Sequence, residues 1–409
     1  MNAHPGSSLS FVLSFLVLVL TTSSAVAQLP DEVHVGTDVG IERFPLRITE
    51  FLGDAGPAEL VREVLGGDLE HSGLFVVGAS GPDAHELRGL VEKVGEKHVV
   101  TVSLREGDGG PVLLAKRWSG TQSSLRRIAH RIADAIIEVF TGEPGSFDSR
   151  IAYVSTLGRS SDVHVMDSDG ARPLQVTHDG ALVLSPEVSL DGKALYFTSF
   201  VDGLPGIYRI DRETGDVRRL LSQEGLNQAA AVSPDGGRLA FSASFQGNAE
   251  IYVSRLDGSG MRRLTENPAI DVSPAWSPSG AQVAFQSDRS GTPQVHLMSA
   301  EGLDVRRLTF EGGYNGEPAF SPDGTLLAFS SRRQGKFQVA ILELATGRVQ
   351  LVTSGHADHE SPSWSPDGQF LAFASNRGGD WDIWSCRLDG SGLRRLGSGG
   401  SNRQPHWYR

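Results

Sequence analysis

An all-β six-bladed β-propeller preceded by a small α/β domain, two helices on a mixed sheet, is the architecture this sequence predicts. A turn of the form Ser-Pro-Asp-Gly, with single departures, returns at Ser189, Ser233, Ser277, Ser321 and Ser365, each 44 residues after the last. The short apolar strand behind it begins at Ile151, Leu195, Leu239, Val283, Leu327 and Leu371, which makes six copies. Residues 28 to about 142 carry no copy. Four short strands in a period of this length form a sheet that cannot cover its own faces, so it must pack between neighbours as a propeller blade.

Composition agrees. The 49 glycines among 409 residues call for many tight turns, and the net charge of −12 excludes a general nucleic-acid binder, which needs a concentrated basic face. The single cysteine, Cys386, has no partner for an internal disulfide. It falls in the column of Met166, Ile210, Ser254, Met298 and Leu342, so it reads as a small buried side chain rather than a nucleophile.

Taken in chain order, residues 1–27 read as a signal peptide. Phe11–Leu20 is an apolar run too short to span a bilayer, and Ala25-Val26-Ala27 supplies the cleavage site before Gln28. No cysteine follows the run, so neither a lipid anchor nor direct membrane insertion is expected, and the mature chain is expected in the periplasm. Residues 28–38 (QLPDEVHVGTD) have little apolar content and read as a flexible arm.

Residues 39–142 read as the α/β domain. Apolar residues at helical spacing predict helices over 57–73 and 122–141, the second ended by Gly142. Strand-like runs lie at Pro45–Phe51, Leu74–Val77, His98–Leu104 and Val112–Trp118. Residues 142–146 (GEPGS) read as a linker, and its shortness predicts a packed interface between the domains.

Residues 143–409 hold the blades. The first copy lacks its innermost strand, while the chain ends on an orphan Pro405-His406-Trp407 that matches Pro274, Pro318 and Pro362 with their followers. The tail is therefore predicted to supply that strand and close the ring, leaving no open sheet edges. Paired arginines recur in the outermost strand (Arg218 and Arg219, Arg262 and Arg263, Arg306 and Arg307, Arg394 and Arg395). They read as solvated charges that guard an outer edge, or as a basic rim.

Chemistry is scarce. No G-x-S-x-G elbow, phosphate loop or H-E-x-x-H helix occurs. His356, Asp358, His359 and Glu360 resemble a metal cluster, but their backbone directions would have to fold back upon one ion. The repeat register offers another reading. His359 aligns with Asn315, Asp271 and Asn227 just before the innermost strands, where loops converge on one mouth of the channel and face a common partner. Plain turn-forming polarity accounts for them as well.

The signal peptide, the α/β domain and six such blades together resemble the TolB family, the periplasmic propellers of the Tol-Pal envelope system. The likeness is most specific in VREVLGGDLEHSGLF (Val61–Phe75) and AHRIADAIIEVFTGEPGSFDSRIAYVS (Ala129–Ser155), and covers essentially the whole mature chain. It implies a non-enzymatic adaptor without cofactor or metal. The Pal lipoprotein would bind at the mouth, carried over to Asn227, Asp271, Tyr314, Asn315, Asp358, His359, Asn402 and Arg403. The TolA periplasmic domain would bind the arm, carried over to Gln28, Leu29, Pro30, Asp31, Glu32, Val33, His34 and Val35. It further implies coupling between arm and mouth and a role in outer-membrane integrity and invagination during cell division. With no oligomerisation element visible, a monomer is expected. The competing readings are a secreted propeller binding a small ligand or glycan, and a hydrolase sited in the channel.

Overall fold

The computed structural model describes residues 43–178, 180–397 and 399–409. The signal peptide and the arm with its eight TolA-facing positions lie outside the described residues. No described helix is long and apolar enough to cross a membrane.

The α/β domain holds β1 (Phe44–Ile48), β2 (Leu52–Gly53), α1 (Ala55–Ser72), β3 (Phe75–Val77), β4 (His85–Val94), β5 (Lys97–Arg105), β6 (Val112–Gly120) and α2 (Leu125–Thr141). The sheet order β3-β1-β4-β5-β6 is mixed, because β1 pairs parallel with β3 and β4 while β4, β5 and β6 form an antiparallel meander. Helix α2 buries Leu125, Ile128, Ala129, Ile132, Ala133 and Ile136 at helical spacing and stops where Gly142 turns left-handed at φ 83°. The longest strand, β4, is absent from the sequence reading, because Glu86, Arg88, Glu92 and Lys93 break its apolar run.

The chain is tied down just past residues 142–146. Asp134 of α2 accepts hydrogen bonds from the amides of Phe147 at 2.7 Å and Asp148 at 3.0 Å, which ties the chain to the helix as it enters the propeller. Burial pushes the Asp134 carboxyl up to about 6 even though those amides favour its charge.

Six four-stranded antiparallel sheets form the ring. In the first blade the innermost strand is Ser401–Tyr408, paired with Arg150–Leu157; the C-terminus thereby closes the circle. The second to sixth blades start at Val183, Asn227, Asp271, Asn315 and His359. Phe197, Phe241, Phe285, Phe329 and Phe373, one per second strand, are fully buried and fill successive spaces between blades. Cys386 is also buried, with its thiol pushed up to about 12 by that burial. The core between the sixth and first blades differs from the rest. There Ile151, Tyr153, Phe370, Ile383 and Trp407 join the core of the α/β domain itself.

Several of the paired arginines are bonded, while Arg218 and Arg306 stay exposed as solvated charges would. Arg263 pairs with Glu250 at 2.7 Å and Arg395 with Asp382 at 2.6 Å, both acids being 1% exposed. Arg262 donates to the Glu301 carbonyl at 2.9 Å, and Arg394 to that of Asp169 at 2.7 Å, each in the following blade. Arg263 and Arg395 thus bond within their own blades, whereas Arg262 and Arg394 tie neighbouring ones. The turns they reach fit closely: Gly302 sits at φ 87°, and a Cβ there would fall on the Leu264 carbonyl. Gly302→Ala is expected to destabilise the protein by about 1–3 kcal/mol, read as a lower urea midpoint; an unchanged midpoint would mean that the turn yields freely.

Candidate functional site at the propeller mouth

Each innermost strand bulges once, and the bulge residue is left-handed without being glycine: Ser185, Ala229, Ser273, Glu317, Ser361 and Gln404, all at φ 52–55°. Six such residues around one axis store strain that only the closed ring holds in place. They divide the channel. On one side lies a cavity of about 600 Å³, lined by Pro234, Pro278, Pro322 and Pro366 among others. The other side is the mouth where the innermost strands begin. The α/β domain touches Phe370, Arg387 and Trp407, which sit at the opposite ends of their strands, so it leaves this mouth uncovered.

The structure sorts the eight mouth positions into two sets. Asn227, Asp271, Asn315, His359 and Asn402 lie within the innermost strands and are at most 2% exposed. Asn315 and Asn402 pin neighbouring blades, while Asp271 and His359 are held within their own. Asp271 pairs with Arg289 at 2.6 Å, Asn315 Nδ2 donates to Gln294 Oε1 at 2.8 Å, and Asn402 Nδ2 donates to Asp382 Oδ1 at 2.8 Å. Asn227 Nδ2 donates to the Gln223 carbonyl at 2.7 Å. His359 packs edge-on against Phe373, and burial together with the Arg377 charge lowers its ring to about 4, so it is neutral at pH 7.

Tyr314, Asp358 and Arg403 reach the rim. The Tyr314 hydroxyl donates to Gln286 Oε1 at 2.8 Å while its ring stands edge-on to Phe337. Burial, with Glu317 nearby, pushes that phenol up to about 12. Asp358 accepts from the Phe337 amide and from Lys336, both at 3.1 Å; although burial opposes ionisation, these partners hold its carboxyl below the usual range. Arg403 lies 3.6 Å above the Trp381 ring and 3.6 Å from Glu360. The three belong to one stretch of rim across the fifth, sixth and first blades.

Sequence reasoning passed over Glu317, Lys336 and Trp381, and met Glu360 only in a metal-like run that it set aside. In register Glu317 is the one acid in a column of Ser185, Ala229, Ser273, Ser361 and Gln404, and that departure was the available signal. Its carboxylate accepts from Ser330 Oγ at 2.6 Å and from the Ser361 amide at 2.9 Å. The members of GHADHESP diverge: Asp358 turns to Lys336, His359 to Phe373, and Glu360 to Arg403.

Burial, reinforced by Glu317, pushes Glu360 up to about 7. Because this lies above the ordinary 4.5, the folded protein resists ionising Glu360, and stability falls as pH rises from 4.5 through about 7. Glu360→Gln is therefore expected to melt higher than the parent at pH 8, with the gap closing by pH 4. An equal gap at both pH values would contradict this.

Among the described residues, one group brings three potential metal-ligand side chains together, Asp68, His130 and Asp169, away from the mouth. The Arg126 guanidinium holds the Asp169 carboxylate there, and the 2.6 Å contact of His130 with Asp68 is a hydrogen bond, so the group is an ion-pair cluster.

Comparison with known proteins agrees with this architecture. The family described as TolB beta propeller domain matches residues 137–409. The Tol-Pal system protein TolB of Bordetella avium is 35% identical over 220 residues, 48% of each chain. That of Polaromonas naphthalenivorans is 37% identical over 250 residues, 56% of this chain and 57% of its own. The chain thus spans about half the length of the curated relatives it matches. The crystal structure of TolB from Acinetobacter baumannii superposes with a TM-score of 0.81 at 30% identity, covering 90% of this chain and 96% of that one. A nidogen/laminin complex, at 12% identity and a TM-score of 0.54, shares the fold alone. On the family match and the Acinetobacter structure together, this chain belongs to the TolB family.

Proposed function

We propose that the protein is a non-enzymatic adaptor of the Tol-Pal system. It is exported to the periplasm with cleavage near Ala27-Gln28, holds the Pal lipoprotein at the propeller mouth and offers Gln28–Val35 to the TolA periplasmic domain. In that role it supports outer-membrane integrity and invagination at division. The relatives carry the system's name, which supports the placement. One observation carries the choice of mouth: an aromatic and mixed-charge rim, Tyr314, Lys336, Asp358, Glu360, Trp381 and Arg403, stands on the face that the α/β domain leaves free. Aromatic and arginine anchors are the side chains that dominate protein interfaces. The five buried mouth residues then act through position, fixing the inner strands that carry the rim.

The test is capture of the periplasmic domain of a Pal-like lipoprotein from the same cell by the mature chain. Tyr314→Ala and Arg403→Glu are each expected to weaken capture at least about tenfold, and Asn315 with His359 substituted together to do so by loosening the rim. Unchanged capture in all of them removes the mouth from the account. The channel cavity of about 600 Å³ favours a second reading, a small ligand or glycan. A glycan panel bound in place of Pal would decide for it. Turnover of peptide or ester substrates would decide for a channel-sited hydrolase.

A further inference from the structure

The junction between the α/β domain and the propeller holds a buried charge cluster that the adaptor role does not use. His130 of α2 and Asp68 of α1 are each 2% exposed, and His130 Nδ1 lies 2.6 Å from Asp68 Oδ2. The other ring nitrogen, Nε2, has no hydrogen-bond partner and lies 3.7 Å from Asp169 Oδ2, in a turn of the first blade. Arg126, one turn earlier on α2, bonds the same Asp169 carboxylate. From the sixth blade, Arg394 donates to the Asp169 backbone carbonyl. Nearby Asp167 is answered by Arg172 at 2.7 Å.

The charges decide the protonation. Asp68 and Asp169 bring two negative charges; Arg126 brings one positive. With Asp68 ionised a protonated His130 balances them; burial raises the Asp68 carboxyl against the pull of His130, so a neutral Asp68 beside a neutral His130 is the state the test must exclude. With both ring nitrogens as donors, His130 also spans the domains, one N–H on Asp68 and the other aimed at Asp169. We propose that the imidazolium of His130 is a latch between the α/β domain and the first blade, and that its deprotonation loosens this junction while the other blades stay closed.

The direction with pH follows. Burial opposes the charge, but the hydrogen bond and charge of Asp68, with Asp169 behind, outweigh it and hold His130 above its ordinary 6.5. A raised folded-state value means that the stabilisation is complete below about 6.5 and is lost as pH rises through the folded value. The His71 ring, stacked at 5.0 Å on Phe370 in the same interface, moves the other way. Burial first, then Arg394 and Arg387, lowers it to about 4, so it does not titrate in this range.

The experiment uses the mature full-length chain with ¹³C-labelled histidine, His130 being assigned by loss of its signal in His130→Gln. His130 is expected to titrate above its ordinary 6.5. Over the same range, hydrogen exchange corrected for its intrinsic pH dependence is expected to rise at least about tenfold in α1 and α2, with the third and fourth blades unchanged. His130→Gln should remove that pH dependence. A His130 that titrates at or below 6.5, a rise shared equally by all blades, or full pH dependence retained in His130→Gln would each overturn the latch. Protection of α2 by one equivalent of Zn²⁺ at pH 8 would overturn it as well, in favour of a metal. If the variant fails to fold, the pH dependence of exchange in the parent protein, confined to α1 and α2 or shared by all blades, still decides.

Discussion

Removal of Ser401–Arg409 is expected to abolish cooperative folding of the propeller. Those residues form the innermost strand of the first blade, pairing Asn402 with Ser155 and Trp407 with Ile151. Without them Arg150–Leu157 becomes a bare edge beside the channel, and the core shared by Trp407, Phe370 and Ile151 opens to water. Truncating one buried Trp alone costs about 3–5 kcal/mol; with the strand's hydrogen bonds and Tyr408 also gone, the loss approaches the roughly 5–15 kcal/mol that stabilises most domains. The α/β domain should suffer too, because Trp407 Nε1 donates to Ser149 Oγ at 2.7 Å beneath it. Size-exclusion chromatography and circular dichroism melts read the outcome, with partial rescue expected from the nine-residue peptide added in trans. A truncated chain that stays monomeric and melts at the parental temperature would show that the ring does not need its tail.

Asp382→Ala is expected to cost about 3–5 kcal/mol, the range for removing one partner of a buried ion pair. Asp382 is 1% exposed; its Oδ1 accepts from Asn402 Nδ2 at 2.8 Å and from the Ile383 amide at 2.9 Å, and its Oδ2 from Arg395 Nε at 2.6 Å. One carboxylate thus ties the sixth blade's outer strand to the closing strand. Asp382→Asn, which keeps the size and an acceptor, should lose less. Urea unfolding with a shared slope measures both, and a shift below about 0.5 kcal/mol for the alanine variant would show that Arg395 and Asn402 find other partners.

The blades were legible because sheet packing repeats its demands. Every second strand needs a large apolar side chain at the same place, so Phe197, Phe241, Phe285, Phe329 and Phe373 recur at one step, and the orphan Trp407 betrays its role by matching Trp276 and Trp364. Register could not tell a buried pin from an exposed contact. Asn227, Asp271, Asn315, His359 and Asn402 recur for a structural reason, which a search for shared polar positions mistakes for a surface. The rim carries the opposite signal: Glu317 and Lys336 depart from their columns, as an asymmetric partner of the kind proposed would require. Strand β4 escaped notice because one face of its sheet is solvated and charged. The cluster of Asp68, His130 and Asp169 was invisible for want of any local pattern, its members meeting only when the two domains dock.

Photo-crosslinking tests the central claim, that the free mouth receives a protein partner. A photoreactive amino acid placed at Trp381 on the rim, and separately at Pro322 on the other side of the bulge ring, would be irradiated with the Pal periplasmic domain present. Crosslinking from position 381 and none from 322 is predicted. The reverse pattern, with capture only through the proline-lined opening, would contradict the account.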